Sequence, residues 1–351
     1  MSVWSSIQSV LNARKFQKLK RGTLVTLPTG EKYQFKIKTV QRWNRSKGFR
    51  FFEHSFISSI EGGGAIETGY GEAGQKLLAI EKSIAEAFER LIFRLLRGTS
   101  YGSITTNGWA AHISRSNAKQ SAIEELFERD SVLAHWFCKK PFHEIDSDTL
   151  PSWCKKWMDE ELSRSVYPRL RVLVTHLGEL PAAVTIMTRP DGKGVLSHAT
   201  HADLGTALKK ALVEITSIAQ STKKSHFFDS SKNLFEDPNC DGFQAKPIDH
   251  AMVYAYHSPF PEWMYGKMAS WNQIQTDWIK SYQSFDPKKL KVNFTILTQS
   301  PLIVGRATSP MIQDVYFGRT EVADQKGKIN HERLKRLNFC GAINLAPHIV
   351  P

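Results

Sequence analysis

Apolar residues recur every three to four positions in three segments, and this spacing predicts amphipathic helices. The first helix is expected over about 73–97, the second over about 117–136 and the third over about 204–220, where Asp203 is a suitable N-cap. The apolar stripe of the first helix consists of Ile84, Phe88, Leu91, Ile92 and Leu95. The opposite face is polar, and we expect it to lie toward solvent unless it carries a site.

Alternating apolar and polar residues predict strands in other parts of the chain. The segment "GTLVTLPTGEKYQFKIKTV" (22–40) alternates around Pro28-Thr29-Gly30, which predicts a β-hairpin. Strands are also expected at "RLRVLVTHL" (169–177) and "AAVTIMT" (182–188), with one or two more within 291–309.

Two segments do not fit either pattern. The glycine-rich "SSIEGGGAIETGYGEAG" (58–74) is expected to be a loop that leads into the first helix, and 225–290 shows no clear period. No Gly/Ser-rich linker separates two domains. The chain is therefore expected to form one large mixed domain of the α+β (mixed α/β) class.

Charge is concentrated at the N-terminus. Residues 1–50 hold twelve Lys and Arg against the single Glu31, so they carry +11 of the net charge of +13. Such a segment can bind nucleic acid, an acidic peptide or an acidic partner protein, or it can simply be a solvated basic face. We treat residues 1–60 as a basic N-terminal segment with the hairpin.

The cysteines and the N-terminus indicate the compartment. The four cysteines are far apart and form no Cys-x-x-Cys, which argues against a zinc ribbon or a disulfide framework. The N-terminus lacks a signal peptide, and no apolar run is long enough to span a membrane. A cytoplasmic protein without a membrane partner is expected.

The three predicted helices share one template. The segments "AIEKSIAEAFER", "AKQSAIEELFER" and "ALKKALVEITSI" align without gaps from Ala79, Ala118 and Ala207. Lys82, Ser121 and Lys210 then share one position, Glu86, Glu125 and Glu214 a second, and Glu89, Glu128 and Ser217 a third. Glu-x-x-Glu-Arg thus occurs twice in the same frame.

This repeat suggests a cation site. Glutamates three apart project from one helix face, and four carboxylates brought together would need a cation. Oxygen donors favour Mg²⁺, which commonly brings phosphates, and Arg90 and Arg129 are suitable phosphate donors. The weaker alternatives are a solvated helix face and, at His198 and His201, a zinc site without an evident third ligand.

In these motifs the chain resembles the YcaO family of ATP-dependent peptide-modifying enzymes, over about residues 69–351. The matching segments are "KSIAEAFER" (82–90), "TNGWAAHISRSNAKQSAIEELFERD" (106–130), "KALVEITS" (210–217) and "VGRATSPMIQDVYFG" (304–318). The C-terminal "APHIVP" stands where the azoline-forming members end in a proline-rich tail. The resemblance implies a YcaO-type fold, in which helices carrying an ATP/Mg site pack on mixed β-sheets, and a catalytic domain over 61–351.

The resemblance also implies site residues. The Mg²⁺ ligands would be Glu86, Glu89, Glu125 and Glu128. The residues that contact ATP would be Lys82, Asn107, Arg129, Lys210 and Glu214. The terminal carboxylate of Pro351 would lie near the reaction site. The chain departs from the family at Lys82, Asn117, Lys210 and Ser217, where Ser, an acidic residue, Arg and Gln are usual.

The implied activity is that of a cyclodehydratase that uses ATP and Mg²⁺ to form thiazoline or oxazoline rings in a ribosomal precursor peptide. Its expected partners are the precursor, a separate ThiF-like or leader-recognition protein and a flavin dehydrogenase, in a homodimer or a hetero-complex. Two alternatives stay open: a thioamide- or amidine-forming member, and a non-catalytic scaffold that binds through its basic N-terminus.

Overall fold

The computed structural model describes residues 14–43, 51–102, 105–222, 226–237, 239 and 247–350. Its helices are α1 Arg14–Arg21, α2 Lys76–Leu96, α3 Arg115–Cys138, α4 Ser152–Leu162, α5 Leu204–Ser221, α6 His226–Glu236, α7 Pro247–Tyr256, α8 Trp271–Ser284, α9 Thr320–Gln325 and α10 His331–Arg336. Its strands are β1 Thr23–Thr26, β2 Lys32–Arg42, β3 His54–Gly62, β4 Ala65–Ala73, β5 Trp109–His112, β6 Phe142–Ile145, β7 Arg169–Val174, β8 Ala183–Thr188, β9 Gly194–Ala199, β10 Tyr265–Ala269, β11 Asn293–Thr298 and β12 Ile303–Thr308. The chain therefore has the expected α+β class.

The chain divides into two compact units. The first comprises Met1–Ile123 and Val292–Thr308, and the second comprises Glu124–Lys291 and Ser309–Pro351. The boundary after Ile123 falls within α3, so neither unit is one continuous stretch of sequence. The predicted division into a basic segment (1–60) and a catalytic domain (61–351) is a division by function. It stays a prediction.

The first unit contains two antiparallel sheets, a four-stranded one of order β1-β2-β3-β4 and a three-stranded one of order β11-β12-β5. The predicted hairpin is confirmed, since β1 pairs with β2 and Gly30 in the turn has a φ of +88°. Helix α2 packs on β3 and β4. Its predicted stripe is buried with Phe35 and Ile60 except for Leu95, which is partly buried.

The expectation of a loop at 58–74 is wrong, because this segment completes β3 and forms β4. The hairpin turns at Gly63 and Gly64, both with positive φ. Gly69 and Gly71 are needed because α2 lies against the strand: a Cβ on Gly71 would stand 2.0 Å from the carbonyl oxygen of Ala79. The sequence pattern assigns these glycines to a loop. In the structure their missing side chains allow the strand and the helix to pack closely.

The second unit is built on a five-stranded sheet of order β10-β6-β7-β8-β9, in which only the β10–β6 pair is parallel. Helix α5 packs on β8 and β9, and the predicted cap is confirmed because the Asp203 carboxylate accepts the Thr206 N–H at 2.7 Å. The segment without clear period holds α6, α7, β10 and α8 among its described residues. No helix in the described part of the chain is long and apolar enough to cross a membrane.

Candidate functional site

The first Glu-x-x-Glu-Arg copy lies on α2, and its carboxylates are held by neighbouring strands. Glu86 Oε2 accepts the backbone N–H of Tyr70, on β4, at 2.6 Å, and Glu86 Oε1 accepts Arg90 Nη2 at 2.6 Å. Glu89 Oε2 accepts the N–H of Ala111, on β5, at 2.9 Å. The two glutamates are thus only partly exposed and have fixed orientations.

The second copy lies on α3, within the second unit. Glu125 Oε1 pairs with Arg129 Nη2 at 3.1 Å. Glu128 Oε1 lies 2.6 Å from His198 Nδ1, and its Oε2 accepts the N–H of Thr200 at 2.7 Å. His198 belongs to β9 and Thr200 follows the end of that strand.

The sequence repeat therefore recurs as a repeated arrangement of atoms. In each copy the first glutamate pairs with the arginine four residues later, and the fourth residue accepts a backbone N–H from a strand or strand end. A solvated helix face does not require such contacts, so this arrangement favours the functional interpretation of the motif. A carboxylate oxygen that accepts one hydrogen bond keeps a lone pair for a cation.

The two lysines of the template also behave alike. Lys82 Nζ donates to the carbonyl of Glu72 at 3.4 Å, and Lys210 Nζ donates to the carbonyl of Thr200 at 3.3 Å, ten residues earlier in both cases. Both lysines are exposed, and their assignment as ATP contacts stays a prediction. Glu214 is exposed on α5, within the second unit.

Asn107 lies in the first unit, just before β5, and its side chain is buried. Its backbone N–H donates to the Thr105 hydroxyl at 3.1 Å, and the next residue, Gly108, has a φ of +72°. This turn sets the position of the amide. Its assignment as an ATP contact stays a prediction.

The donor chemistry fits Mg²⁺, because the predicted ligands are carboxylate oxygens whose orientation is set by hydrogen bonds from a second layer of residues. Within the described ranges, no group of three or more His, Cys, Asp or Glu side chains is arranged to hold a metal ion by itself. The four-glutamate ligand set stays a prediction.

The two histidines considered for zinc serve as hydrogen-bonding residues. His198 contacts Glu128, and His201 Nδ1 accepts the N–H of Asp203 at 3.0 Å. Sequence analysis thus missed the partner of Glu128, which lies 70 positions away in the chain. The only available signal was the position of His198 near the end of a strand that leads into α5.

Asp130, the last residue of "FERD", anchors α3 in the core of the second unit. Its fully buried carboxylate accepts Arg333 Nη2 at 2.7 Å and Nε at 3.2 Å, as well as the N–H of Gln313 at 2.8 Å. Burial raises the pKa of Asp130, and the Arg333 guanidinium opposes this shift. Arg333 also pairs with Glu179 at 3.2 Å. This network holds the helix turn next to Glu128 and Arg129 in place.

The C-terminal segment is packed inside the second unit as far as it is described. Tyr254 Oη donates to the carbonyl of Pro347 at 2.7 Å, and Trp136 Nε1 donates to that of Ala346 at 3.2 Å. Val350 is fully buried. Pro351, the predicted catalytic terminus, lies outside the described residues, so its role stays a prediction.

A family model described as YcaO cyclodehydratase, ATP- and Mg²⁺-binding, matches residues 80–301. This segment is more than half of the chain. The protein belongs to the YcaO family. The matched segment of this YcaO protein contains the nine residues predicted to bind Mg²⁺ and ATP, from Lys82 to Glu214.

Solved structures resemble the chain at low sequence identity. They include the Escherichia coli microcin synthetase McbBCD complex with pro-MccB17 bound (16% identity, TM-score 0.49, covering 78% of this chain and 88% of that one). A YcaO from Methanopyrus kandleri bound with AMPPCP and Mg²⁺ is 12% identical, with a TM-score of 0.49 and coverage of 88% and 90%. A heterocyclase in complex with substrate and cofactor is 13% identical, with a TM-score of 0.49, and this chain covers 84% of its own length and 52% of the heterocyclase. A comparison with curated protein sequences gives no significant match.

Proposed function

We propose that this YcaO protein is an ATP- and Mg²⁺-dependent cyclodehydratase that converts Cys, Ser or Thr residues of a ribosomal precursor peptide into thiazolines or oxazolines. The observation that supports this proposal most is the repeated fixing of Glu89 and Glu128 by strand N–H groups, inside the segment that matches the family model. A carboxylate that binds a cation has to be held in one orientation, whereas a carboxylate on a solvated surface does not.

The reaction has three chemical steps, which are addition, phosphoryl transfer and elimination. The thiol or hydroxyl of the precursor adds to the carbonyl carbon of the preceding amide, and the resulting oxygen attacks the γ-phosphorus of ATP, which releases ADP. The C–O bond then breaks, phosphate leaves, and a proton is lost from the ring nitrogen as the C=N bond forms. The peptide loses one water in total. Mg²⁺ neutralises phosphate charge in such transfers.

The chain supplies binding and orientation. In this proposal Glu86, Glu89, Glu125 and Glu128 hold Mg²⁺. Lys82, Asn107, Arg129, Lys210 and Glu214 contact ATP. Where the chain departs from the family, Asn117 Nδ2 lies 3.4 Å from His112 Nε2 and the Ser217 hydroxyl donates to the Val213 carbonyl at 3.4 Å. Both polar side chains thus already have local partners, so the proposal gives the nucleotide no contact with either.

We also propose that the protein acts in the cytoplasm with a separate ThiF-like or other leader-recognition protein, alongside a flavin dehydrogenase that oxidises azolines. The basic residues 1–50 would dock this partner or the precursor through complementary charge. Part of this segment is exposed on β2, where Lys32 and Lys36 point away from the core. Residues 14–42 also supply β1, β2 and buried core residues such as Phe35, so the test changes only exposed charges. Lys32→Gln/Lys36→Gln should weaken partner binding and reduce its salt dependence, and unchanged affinity would contradict this docking role.

The central experiment is mass spectrometry of a precursor co-expressed with this chain and its partners. A loss of about 18 Da per Cys, Ser or Thr supports ring formation, since one water leaves per ring. A gain of about 16 Da at one amide would indicate a thioamide instead, and loss of water without a modified Cys, Ser or Thr would indicate an amidine. An unchanged precursor, together with no Mg²⁺-dependent ATP binding, would indicate the non-catalytic scaffold.

Two variants connect the product to the predicted residues. Glu125→Gln should abolish ATP turnover without lowering the melting temperature, because its carboxylate is predicted to serve the metal. Glu332→Gln, on the exposed face of α10, removes the same charge and is the matched control. Adding one residue after Pro351 should impair ring formation but not ATP binding if the terminal carboxylate takes part.

A further inference from the structure

The ring of His198 on β9 has a contact pattern that core packing does not explain. Its side chain is only 4% exposed, and its Nδ1 lies 2.6 Å from Glu128 Oε1. The opposite nitrogen, Nε2, is buried and has no hydrogen-bond partner among the residues that the structure describes. Leaving a buried polar atom unpaired destabilises the folded state. An apolar side chain would fill this position at lower cost, so the imidazole is retained for what it does to Glu128.

The contacts of Glu128 show what the His198 imidazole does to its carboxylate. His198 Nδ1 bonds one carboxylate oxygen and the N–H of Thr200 bonds the other, and these two donors are two residues apart in the chain. A single donor leaves a carboxylate free to rotate about its last torsion angle, which is broad. Two donors on different oxygens fix that rotation. Each oxygen then presents its remaining lone pair in one set direction.

We propose that His198 is a positioning residue for Glu128. The inference rests on the proposed function, since Glu128 is one of the predicted Mg²⁺ ligands. Because a carboxylate can only accept, Nδ1 carries a hydrogen that it donates to Glu128 Oε1. The ring therefore orients the carboxylate through Nδ1, and the proposal assigns Nε2 no contact with the metal. Fixing a ligand in this way raises metal affinity, and losing such a partner typically costs 10–100-fold.

Three substitutions separate the two ring nitrogens. In His198→Asn the amide nitrogen takes the place of Nδ1, so the bond to Glu128 is kept and Nε2 is lost. In His198→Gln the amide reaches the position of Nε2 and the bond to Glu128 is lost. His198→Leu removes both nitrogens at similar volume. His201→Asn, three residues along the chain, is the matched control. In the hydrogen bonds that the structure describes, the His201 side chain contacts only the backbone N–H of Asp203, at the N-terminus of α5.

The measurement is calorimetric binding of AMPPCP at increasing Mg²⁺, with the melting temperature of each ligand-free variant as a check on folding. We expect His198→Asn and His201→Asn to stay within threefold of wild type, and His198→Gln and His198→Leu to need at least tenfold more Mg²⁺. Wild-type affinity in His198→Leu would overturn the assignment. So would an Asn variant as weak as the Leu variant, because Nε2 would then be the atom that matters.

A double variant tests whether His198 acts through Glu128. If it does, Glu128→Gln/His198→Leu should bind no more weakly than Glu128→Gln alone, whereas independent effects would multiply and contradict the proposal. Failure of the proposed function is distinguishable, because mass spectrometry of the precursor reads the product separately. A thioamide or amidine product would leave the His198 assignment standing, whereas a wild type without Mg²⁺-dependent AMPPCP binding would overturn it.

Discussion

Two buried histidines should make the second unit sensitive to mild acid. His135 Nδ1 donates to the Lys140 carbonyl, and its Nε2 accepts the N–H groups of His176 and Leu177, all at 3.0 Å. Protonating Nε2 would remove the acceptor of both N–H groups. Burial, followed by the neighbouring His176, lowers the pKa of His135 to about 3. The ring is therefore neutral in the folded state.

His250 has the same arrangement. Its Nδ1 donates to the His348 carbonyl at 3.2 Å, and its Nε2 accepts the N–H of Gly318 at 3.1 Å. Burial and then His348 lower the pKa of His250 well below its usual value. Both rings thus stay neutral in the folded state at mildly acidic pH and take up protons there on unfolding, once the pH falls below about 6.5.

The size of the effect follows from proton linkage. A histidine with a lowered folded pKa contributes stability that is present above the unfolded pKa of about 6.5 and is lost as the pH falls toward the folded pKa. At pH 5.5 the unfolded state gains about 1.4 kcal/mol per histidine from protonation, and at pH 7.5 less than about 0.1 kcal/mol. His135 alone should therefore lower the free energy of unfolding by about 1.4 kcal/mol between these pH values, and His250 and His348, whose pKa values burial also lowers, add to this loss.

Urea unfolding at pH 7.5 and 5.5, followed by tryptophan fluorescence, measures this difference. His250→Gln keeps an acceptor near the position of Nε2 but cannot take up a proton. It should be less stable than wild type at pH 7.5 and should lose less of its free energy of unfolding on acidification. If wild type and His250→Gln lose the same free energy of unfolding between the two pH values, the linkage argument for His250 is wrong.

Three further predictions concern single side chains. Arg333→Met leaves the buried Asp130 carboxylate without its cation and should destabilise the protein by about 3–5 kcal/mol at pH 7.5, measured by urea unfolding. Gly71→Ala places a Cβ 2.0 Å from a carbonyl oxygen of α2 and should cost about 1–3 kcal/mol or prevent folding; wild-type stability would contradict the close packing. Arg90→Ala should change ATP affinity less than about threefold, and Arg129→Ala should weaken it at least tenfold, by calorimetry.

Sequence patterns predicted what depends on local spacing. The α2 and α3 helices, the first hairpin and the Asp203 cap follow from periodicity and capping residues a few positions apart, and the structure confirms them. The β3–β4 hairpin was missed because the requirement for Gly69 and Gly71 arises from the approach of α2, which is a tertiary contact.

The units themselves also depend on distant pairing. Strand β12 pairs with β5, so that Ile303 lies opposite His112, and no period or turn signal connects segments that are almost 200 residues apart. The candidate site shows the same limit. The glutamates could be named from the repeat, whereas the donors that orient them come from strands elsewhere in the chain.

Arg90 and Arg129 make the same contact within the motif. The different losses of ATP affinity expected for their alanine variants therefore follow from the surroundings of each side chain. Each pairs with the glutamate one turn earlier, a contact worth about 0.3–0.5 kcal/mol, so neither ion pair is strong enough to resist a divalent cation or a phosphate. The Arg90 side chain is 46% exposed, whereas that of Arg129 is 19% exposed. Water screens Arg90 and weakens any attraction to phosphate, while partial burial strengthens that of Arg129. Equal losses of ATP affinity in the two alanine variants would therefore show that the repeat, and not the local environment, sets the role of each arginine.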